Sequence, residues 1–280
     1  MHDVEKMTSE TDQMKVNTVN SNANYAVVTG ASAGMGAVYA DRLARQGHDL
    51  IVIARNGAAL DALAERLRAD TGRSVDVIVA DLASEHGLAH VEKLLRARED
   101  IGMLVNNAGV GAIAPLLEAD MHAMTQMIAL NVTALTRLCY AVAPQMAARR
   151  NGTIVNVSSI VAVATEMMNG VYGASKSYVL AFTQSLQHEL ADKGLRIQAV
   201  LPGVTGTGFW TTLGHPLERL PQEWIMSVDD LVDAALSGLR QGELVTIPGL
   251  QDGAQWDRWE AARRTLAGQF GHAHPAPRYL

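Results

Sequence analysis

Tyr25-Ala26-Val27-Val28-Thr29-Gly30-Ala31-Ser32-Ala33-Gly34-Met35-Gly36 is the stretch whose reading decides the fold. A short β-prone apolar run, Tyr25–Thr29, leads without a break into three glycines, and a helical pattern follows over residues 37–46. Glycines permit a tight turn and let a backbone approach a phosphate with no Cβ in the way. A helix that starts at such a turn aims its free N–H groups and the positive end of its dipole at the same spot. The segment therefore reads as strand, anion-binding turn and helix. Its spacing is Gly-x-x-x-Gly-x-Gly, which differs from the Gly-x-Gly-x-x-Gly dinucleotide fingerprint.

Working outward, the same unit repeats. Strands are expected over residues 25–29, 50–54, 75–80, 103–106, 153–157, 197–201 and 244–247, and helices over 37–46, 58–69, 85–98, 121–146, 172–193 and 228–240. The near-continuous apolar character of these strands suits a parallel sheet covered on both faces. Alternation of this kind predicts an α/β fold, a doubly wound parallel β-sheet of about seven strands with helices on both faces. Residues 1–24 are polar and read as a flexible leader, and residues 25–280 read as a single domain ending in a helix over 254–270.

Composition narrows the function. A net charge of −6 argues against a nucleic-acid partner, which requires a basic face. Cys139 is the only cysteine, so an internal disulfide is impossible and a reducing, cytoplasmic home is expected. No run of roughly 20 apolar residues stands out as a membrane span. The histidines form no metal-ligand motif, so no metal is expected, and no Gly-x-Ser-x-Gly elbow points to a hydrolase.

The second strand ends Ile53-Ala54-Arg55-Asn56. In dinucleotide folds an acid at this place holds the ribose 2′-hydroxyl of NAD, whereas an arginine accepts the 2′-phosphate of NADP. With Arg55 offering a bidentate fork and no carboxylate beside it, NADP(H) is expected in preference to NAD(H).

Tyr172 and Lys176 stand four apart at the start of a helix pattern, so they share a face. An ammonium about 5 Å away, in an effective dielectric of about 20, favours a phenolate by about 3 kcal/mol. That would bring a tyrosine from its ordinary pKa near 10 toward about 8, where it can shuttle protons. The fifth strand ends in Ser158 and Ser159, and the fourth in Asn106-Asn107-Ala108-Gly109. Ligands in open α/β sheets bind beyond the carboxyl ends of the strands, so these residues stand where chemistry is expected. Ser158 reads as a partner for loose strand-end backbone groups.

Taken in order, these motifs resemble the short-chain dehydrogenase/reductase family over about residues 25–250, which implies a Rossmann-type fold and a hydride-transferring oxidoreductase. On that resemblance Gly30, Gly34 and Gly36, with Ser32, Ala33 and Met35 between them, form the cofactor turn. Arg55, Asp81, Leu82, Asn107, Ala108 and Gly109 contribute to the same site, as do Pro202, Gly203, Thr205 and Thr207 after the sixth strand. Asn131, Ser159, Tyr172 and Lys176 match the catalytic four, Ser159 being preferred because it precedes Tyr172 by thirteen residues. The implied roles are Ser159 polarising a carbonyl, Tyr172 as general acid/base, Lys176 holding the ribose, and Asn131 holding a water. Without the resemblance, Asn131 reads as a polar residue inside a helix and no more.

The resemblance makes residues 206–226 a substrate-covering loop. Phe209, Trp210 and Trp224 lie there, so a hydrophobic ketone, aldehyde or alcohol is the expected small-molecule partner. The segment Thr165-Glu166-Met167-Met168 is expected to line the same pocket, and Trp256 and Trp259 a subunit interface. Val161-Ala162-Val163 replaces a glycine the family carries after its serines. A homodimer or homotetramer is implied. The competing class is a non-catalytic NADP(H)-binding regulator, which predicts erosion of the catalytic residues, whereas all four are present.

Overall fold

The structure is a computed structural model and describes residues 24–280. The expected leader thus lies outside the described residues except for Asn24, whose side-chain amide donates to the Gly47 carbonyl at 3.0 Å.

The strands are β1 (Tyr25–Thr29), β2 (Asp49–Ala54), β3 (Val75–Val79), β4 (Ile101–Asn106), β5 (Gly152–Val157), β6 (Leu195–Val200) and β7 (Val245–Thr246). They pair in parallel in the order β3-β2-β1-β4-β5-β6-β7. The helices are α1 (Gly34–Arg45), α2 (Gly57–Thr71), α3 (Glu85–Arg96), α4 (Met121–Ile128), α5 (Leu135–Arg149), α6 (Gly170–Leu190), the single turn α7 (Phe209–Thr212), α8 (Val228–Gln241) and α9 (Ala254–Ala267).

Two cores explain the apolar runs. In β1, Ala26 and Val28 enter the core shared with α1, α2 and α8, while Val27 enters the opposite one beside α3, α5 and α6. Strand β2 does the same, Leu50 and Val52 on one side and Ile51 and Ile53 on the other. Because strand side chains alternate, a strand buried on both faces must be apolar at every position. Edge strand β3 escapes that demand, and Val79 is 58% exposed.

The chain winds outward from β1 to β3, then returns to lay β4 on the other side of β1. At that reversal the connections leaving β1 and β4 part in opposite directions and open a crevice at the carboxyl ends.

Two expectations are corrected. The helix expected over 121–146 is not regular: between α4 and α5 the backbone widens into a π turn, Ala129–Ala134, which contains Asn131. The whole segment Met121–Arg149 is also long and apolar enough, by length and composition, to cross a bilayer, although no such run stood out in the sequence. In the fold it packs Leu135, Leu138, Val142 and Met146 into the core under the sheet.

Trp256 and Trp259, expected at a subunit interface, lie on α9. Trp256 packs inward near Ala162, Leu180 and Leu201, and Trp259 stacks on it at 4.7 Å between ring centroids.

Candidate active site

Helix starts are informative. Asn56, Ser84, Asp120, Asn169 and Ser227 cap α2, α3, α4, α6 and α8 with side-chain oxygens. Helix α1 follows Ala33, which has no such oxygen, so its first N–H groups receive no side-chain cap. The turn before it holds Gly30 at φ +68° and Gly34 at φ +53°. A Cβ at Gly36 would collide with the Gly30 carbonyl oxygen and lie 2.6 Å from the Asn107 amide nitrogen. The backbone is therefore packed as closely as glycine allows, leaving the helix terminus open to an anion.

Asn107 builds this turn. Its Nδ2 donates to the Thr29 carbonyl at 2.9 Å, while Thr29 Oγ1 accepts from the backbone N–H groups of Asn107 and Ala108, both at 3.0 Å. The Asn107 side chain ties β4 to β1 instead of facing the cleft.

A cleft of about 310 Å³ opens beside the turn. Of the expected residues it is lined by Gly30, Ser32, Arg55, Asp81, Leu82, Ala108 and Gly109, and Val110 and Leu130 are additions that sequence motifs did not single out. Leu82 has its side chain in the core. Asp81 is exposed and accepts from the Ala83 N–H at 3.0 Å. Arg55 is also exposed and, among the described residues, pairs with no carboxylate. Ala33, Met35, Gly34 and Gly36 form the start of α1 and its cap.

The second half of the site gathers at the end of β5. Asn169 caps α6 and starts the helix that carries Tyr172 and Lys176, both buried. Ser158 Oγ donates to the Lys176 carbonyl at 2.7 Å, a structural tie to α6 instead of to the strand-end backbone groups expected. Ser159 is buried, its Oγ 3.5 Å from the Pro202 carbonyl and accepting from the Val161 N–H at 3.3 Å. Lys176 Nζ donates to the Val157 carbonyl at 3.0 Å and lies 5.9 Å from the centre of the Tyr172 ring. An ammonium has three donors, so one carbonyl leaves capacity for a hydroxyl-rich ligand. Asn131 is buried; its Oδ1 accepts from the Val110 N–H at 3.0 Å, and its Nδ2 donates to the Val110 carbonyl at 2.9 Å and to Ser175 Oγ at 3.1 Å.

Burial governs the titration of the pair. It pushes the Tyr172 phenol up to about 12, with the Ser159 hydroxyl acting in the opposite direction. It pulls Lys176 down to about 8. The acidified phenol expected from the sequence is thus not produced by the protein's own groups, because both members of the pair lose water together.

The segment after β6 completes the enclosure. Thr205 is buried, its Oγ1 donating to the Gly203 carbonyl at 3.2 Å, and it pairs across to Met226. A Cβ at Gly34 would touch the Thr207 side chain at 3.4 Å, so this segment reaches the glycine turn. Between Thr205 and Met226 the chain makes an excursion that brings Phe209 6.1 Å from the Tyr172 ring. Trp224, in the loop expected to cover the substrate, is 61% exposed. Met168 packs near Tyr172, whereas Met167 is largely exposed.

A glycine turn at the switch point, a buried Ser-Tyr-Lys set across from it and a matching family model together settle the class. Residues 24–217 match the short chain dehydrogenase model, and the chain belongs to that family. It is 45% identical to a short-chain dehydrogenase from Sphingobium yanoikuyae solved in complex with NADPH, covering 91% of this chain and 99% of that one with a TM-score of 0.88. It is 43% identical to the bulky-bulky ketone specific alcohol dehydrogenase from Comamonas testosteroni, covering 92% and 99% with a TM-score of 0.85. Among curated relatives, the 17-beta-hydroxysteroid dehydrogenase type 3 of Danio rerio is 35% identical over 78% of this chain and 71% of its own length.

The buried ammonium makes a pH prediction for the ligand-free protein. A lysine whose folded pKa lies below its unfolded value destabilises the fold while both states are protonated. That penalty is relieved as pH rises from about 8 toward the ordinary 10.5. The urea midpoint of wild type minus that of Lys176→Met should therefore increase between pH 7.5 and 9.5; a flat difference refutes the burial of the charge. Taking the difference cancels the titration of Cys139 and Tyr39.

Proposed function

We propose that this chain is an NADP(H)-dependent oxidoreductase that interconverts a bulky hydrophobic ketone or aldehyde and its alcohol. The observation that carries the reading is the buried Ser159-Tyr172-Lys176 set standing across from the glycine turn at the switch point of the sheet.

The residues fit the nucleotide. The N-terminus of α1 and the Gly30–Gly36 turn would take the pyrophosphate, Arg55 the 2′-phosphate, Asp81 the adenine end, and Pro202, Gly203, Thr205 and Thr207 the nicotinamide end. The nicotinamide, when bound, supplies or accepts the hydride. Ser159 donates a hydrogen bond to the substrate oxygen and polarises the carbonyl. Tyr172 gives that oxygen a proton in reduction and takes one in oxidation. Lys176 holds the ribose hydroxyls with the donors that Val157 leaves free. A lysine held charged in this way then favours the phenolate of Tyr172. Asn131, through its bonds to Val110 and Ser175, orients the segment after β4 beside Lys176.

Substrate class rests on the wall around Tyr172. Met124, Met127 and Val161 are buried there, with Val110, Ala112, Met168 and Phe209 packed against them. An apolar wall excludes water and favours bulky hydrocarbon groups on the carbonyl. The ketone specificity of the Comamonas testosteroni enzyme supports the same reading.

We also place the protein in the cytoplasm as a homodimer or homotetramer. The single buried thiol suits a reducing compartment. The outer faces of α5 and α6 carry an aromatic stack of Tyr140, Phe182 and Tyr178, with Tyr140 58% exposed.

Tyr172→Phe removes the transferable proton and should lower turnover of a bulky aryl ketone at least about a hundredfold. NADPH affinity by fluorescence titration should stay within about threefold; unchanged turnover refutes the assigned role. Arg55→Asp puts a charge where the 2′-phosphate would sit, and the ratio of kcat/KM for NADPH over NADH should fall by at least about tenfold. An unchanged ratio means the phosphate is held elsewhere.

A further inference from the structure

The buried amide of Asn169 makes more bonds than a helix cap needs. Asn169 is 4% exposed. Its Oδ1 accepts from the N–H groups of Val171 at 2.8 Å and Tyr172 at 3.4 Å, which is the cap. The other end of the same amide donates to the Ala114 carbonyl at 2.5 Å, and the Asn169 backbone N–H donates to the Ala112 carbonyl at 3.3 Å. One residue thus joins the first turn of α6 to a segment more than fifty positions earlier in the chain.

That segment matters because of what it carries. Val110 and Ala112 pack in the apolar cluster around Tyr172, and Phe209 seats directly on Gly111. Asn131 grips the near end at Val110 through both backbone groups. Asn169 grips the far end at Ala112 and Ala114. The backbone between these two grips has no helix or strand of its own to hold it. The polar ties that hold it beside the phenol are two side-chain amides, at Val110 and Ala114, and the Asn169 backbone N–H at Ala112.

We propose that Asn169 is a positioning residue for substrate specificity, its carboxamide holding the Val110–Ala114 wall at a fixed separation from Tyr172. It touches neither the reacting atoms nor the nucleotide cleft. The inference rests on the proposed ketone pocket, and it concerns the bulk of the group beside the carbonyl. A large ketone depends on a pre-formed wall, because ordering a loose one on binding costs affinity. A small ketone reaches Tyr172 without leaning on that wall.

Asn169→Asp separates the two halves of the amide. It keeps both acceptor bonds of the cap and replaces the donor facing Ala114 with an oxygen. Steady-state kinetics with saturating NADPH on a diaryl ketone and on acetone, wild type against variant, test it. The KM for the diaryl ketone should rise about tenfold, with the KM for acetone and the Kd for NADPH within about twofold and kcat little changed. Amide hydrogen exchange should quicken at residues 110–114 and not in α6. Equal KM changes for both ketones, or exchange unaltered at 110–114, overturn the assignment. If the aspartate variant does not fold, Asn169→Thr, which caps without reaching Ala114, is held to the same outcomes. Should wild type reduce neither ketone, the ketone reading fails, while the exchange result still decides whether Asn169 holds the segment.

Discussion

Everything at this site depends on one buried ammonium. Lys176 sits inside the protein with the Val157 carbonyl as its one hydrogen-bond partner at Nζ among the described residues. Taking a charge out of water is costly unless it is paired, and the group responds by shifting toward its neutral form, here to about 8. The neighbouring phenol responds to the same burial by rising to about 12. In the ligand-free protein, then, both members are biased toward neutrality. On the proposed function, further acceptors reaching Nζ would keep it charged and reverse the bias.

The scaffold exists to hold that arrangement still. Parallel strands buried on both faces bring β1, β4 and β5 side by side, with the glycine turn, the Asn107–Gly109 segment and Ser159 at adjacent ends. Side-chain ties then fix the ends to one another: Asn107 to Thr29, Ser158 to Lys176, Asn131 to Val110. The Thr205–Met226 excursion and the segment after β4 are anchored at their bases and carry apolar side chains over Tyr172.

How much of this was legible in the sequence follows from the physics of each part. The strands were legible because burial on both faces forces continuous apolar runs. The glycine turn was legible because a close backbone approach tolerates no Cβ. The Tyr172–Lys176 pairing was legible as a helical spacing. What stayed hidden depended on three-dimensional contact. Nothing in the sequence around Asn131 announces a π turn. Asn107, expected at the cofactor site, spends its amide on a neighbouring strand. The pKa of Tyr172 could not be read from the lysine spacing alone, because desolvation acts on both groups and outweighs a charge that is itself weakened. The packing of Trp256 near Ala162 and Leu180 depends on how α9 lies against the body, which no local pattern states.

The most direct measurement is the pH profile of alcohol oxidation at saturating NADP⁺, for wild type and Lys176→Met. If the charged lysine makes Tyr172 acidic, the wild-type rate should rise with an apparent pKa well below the ordinary tyrosine value of about 10, and the lysine variant should shift that limb to higher pH. Coincident limbs in the two proteins, or a wild-type limb at or above that ordinary value, would contradict it.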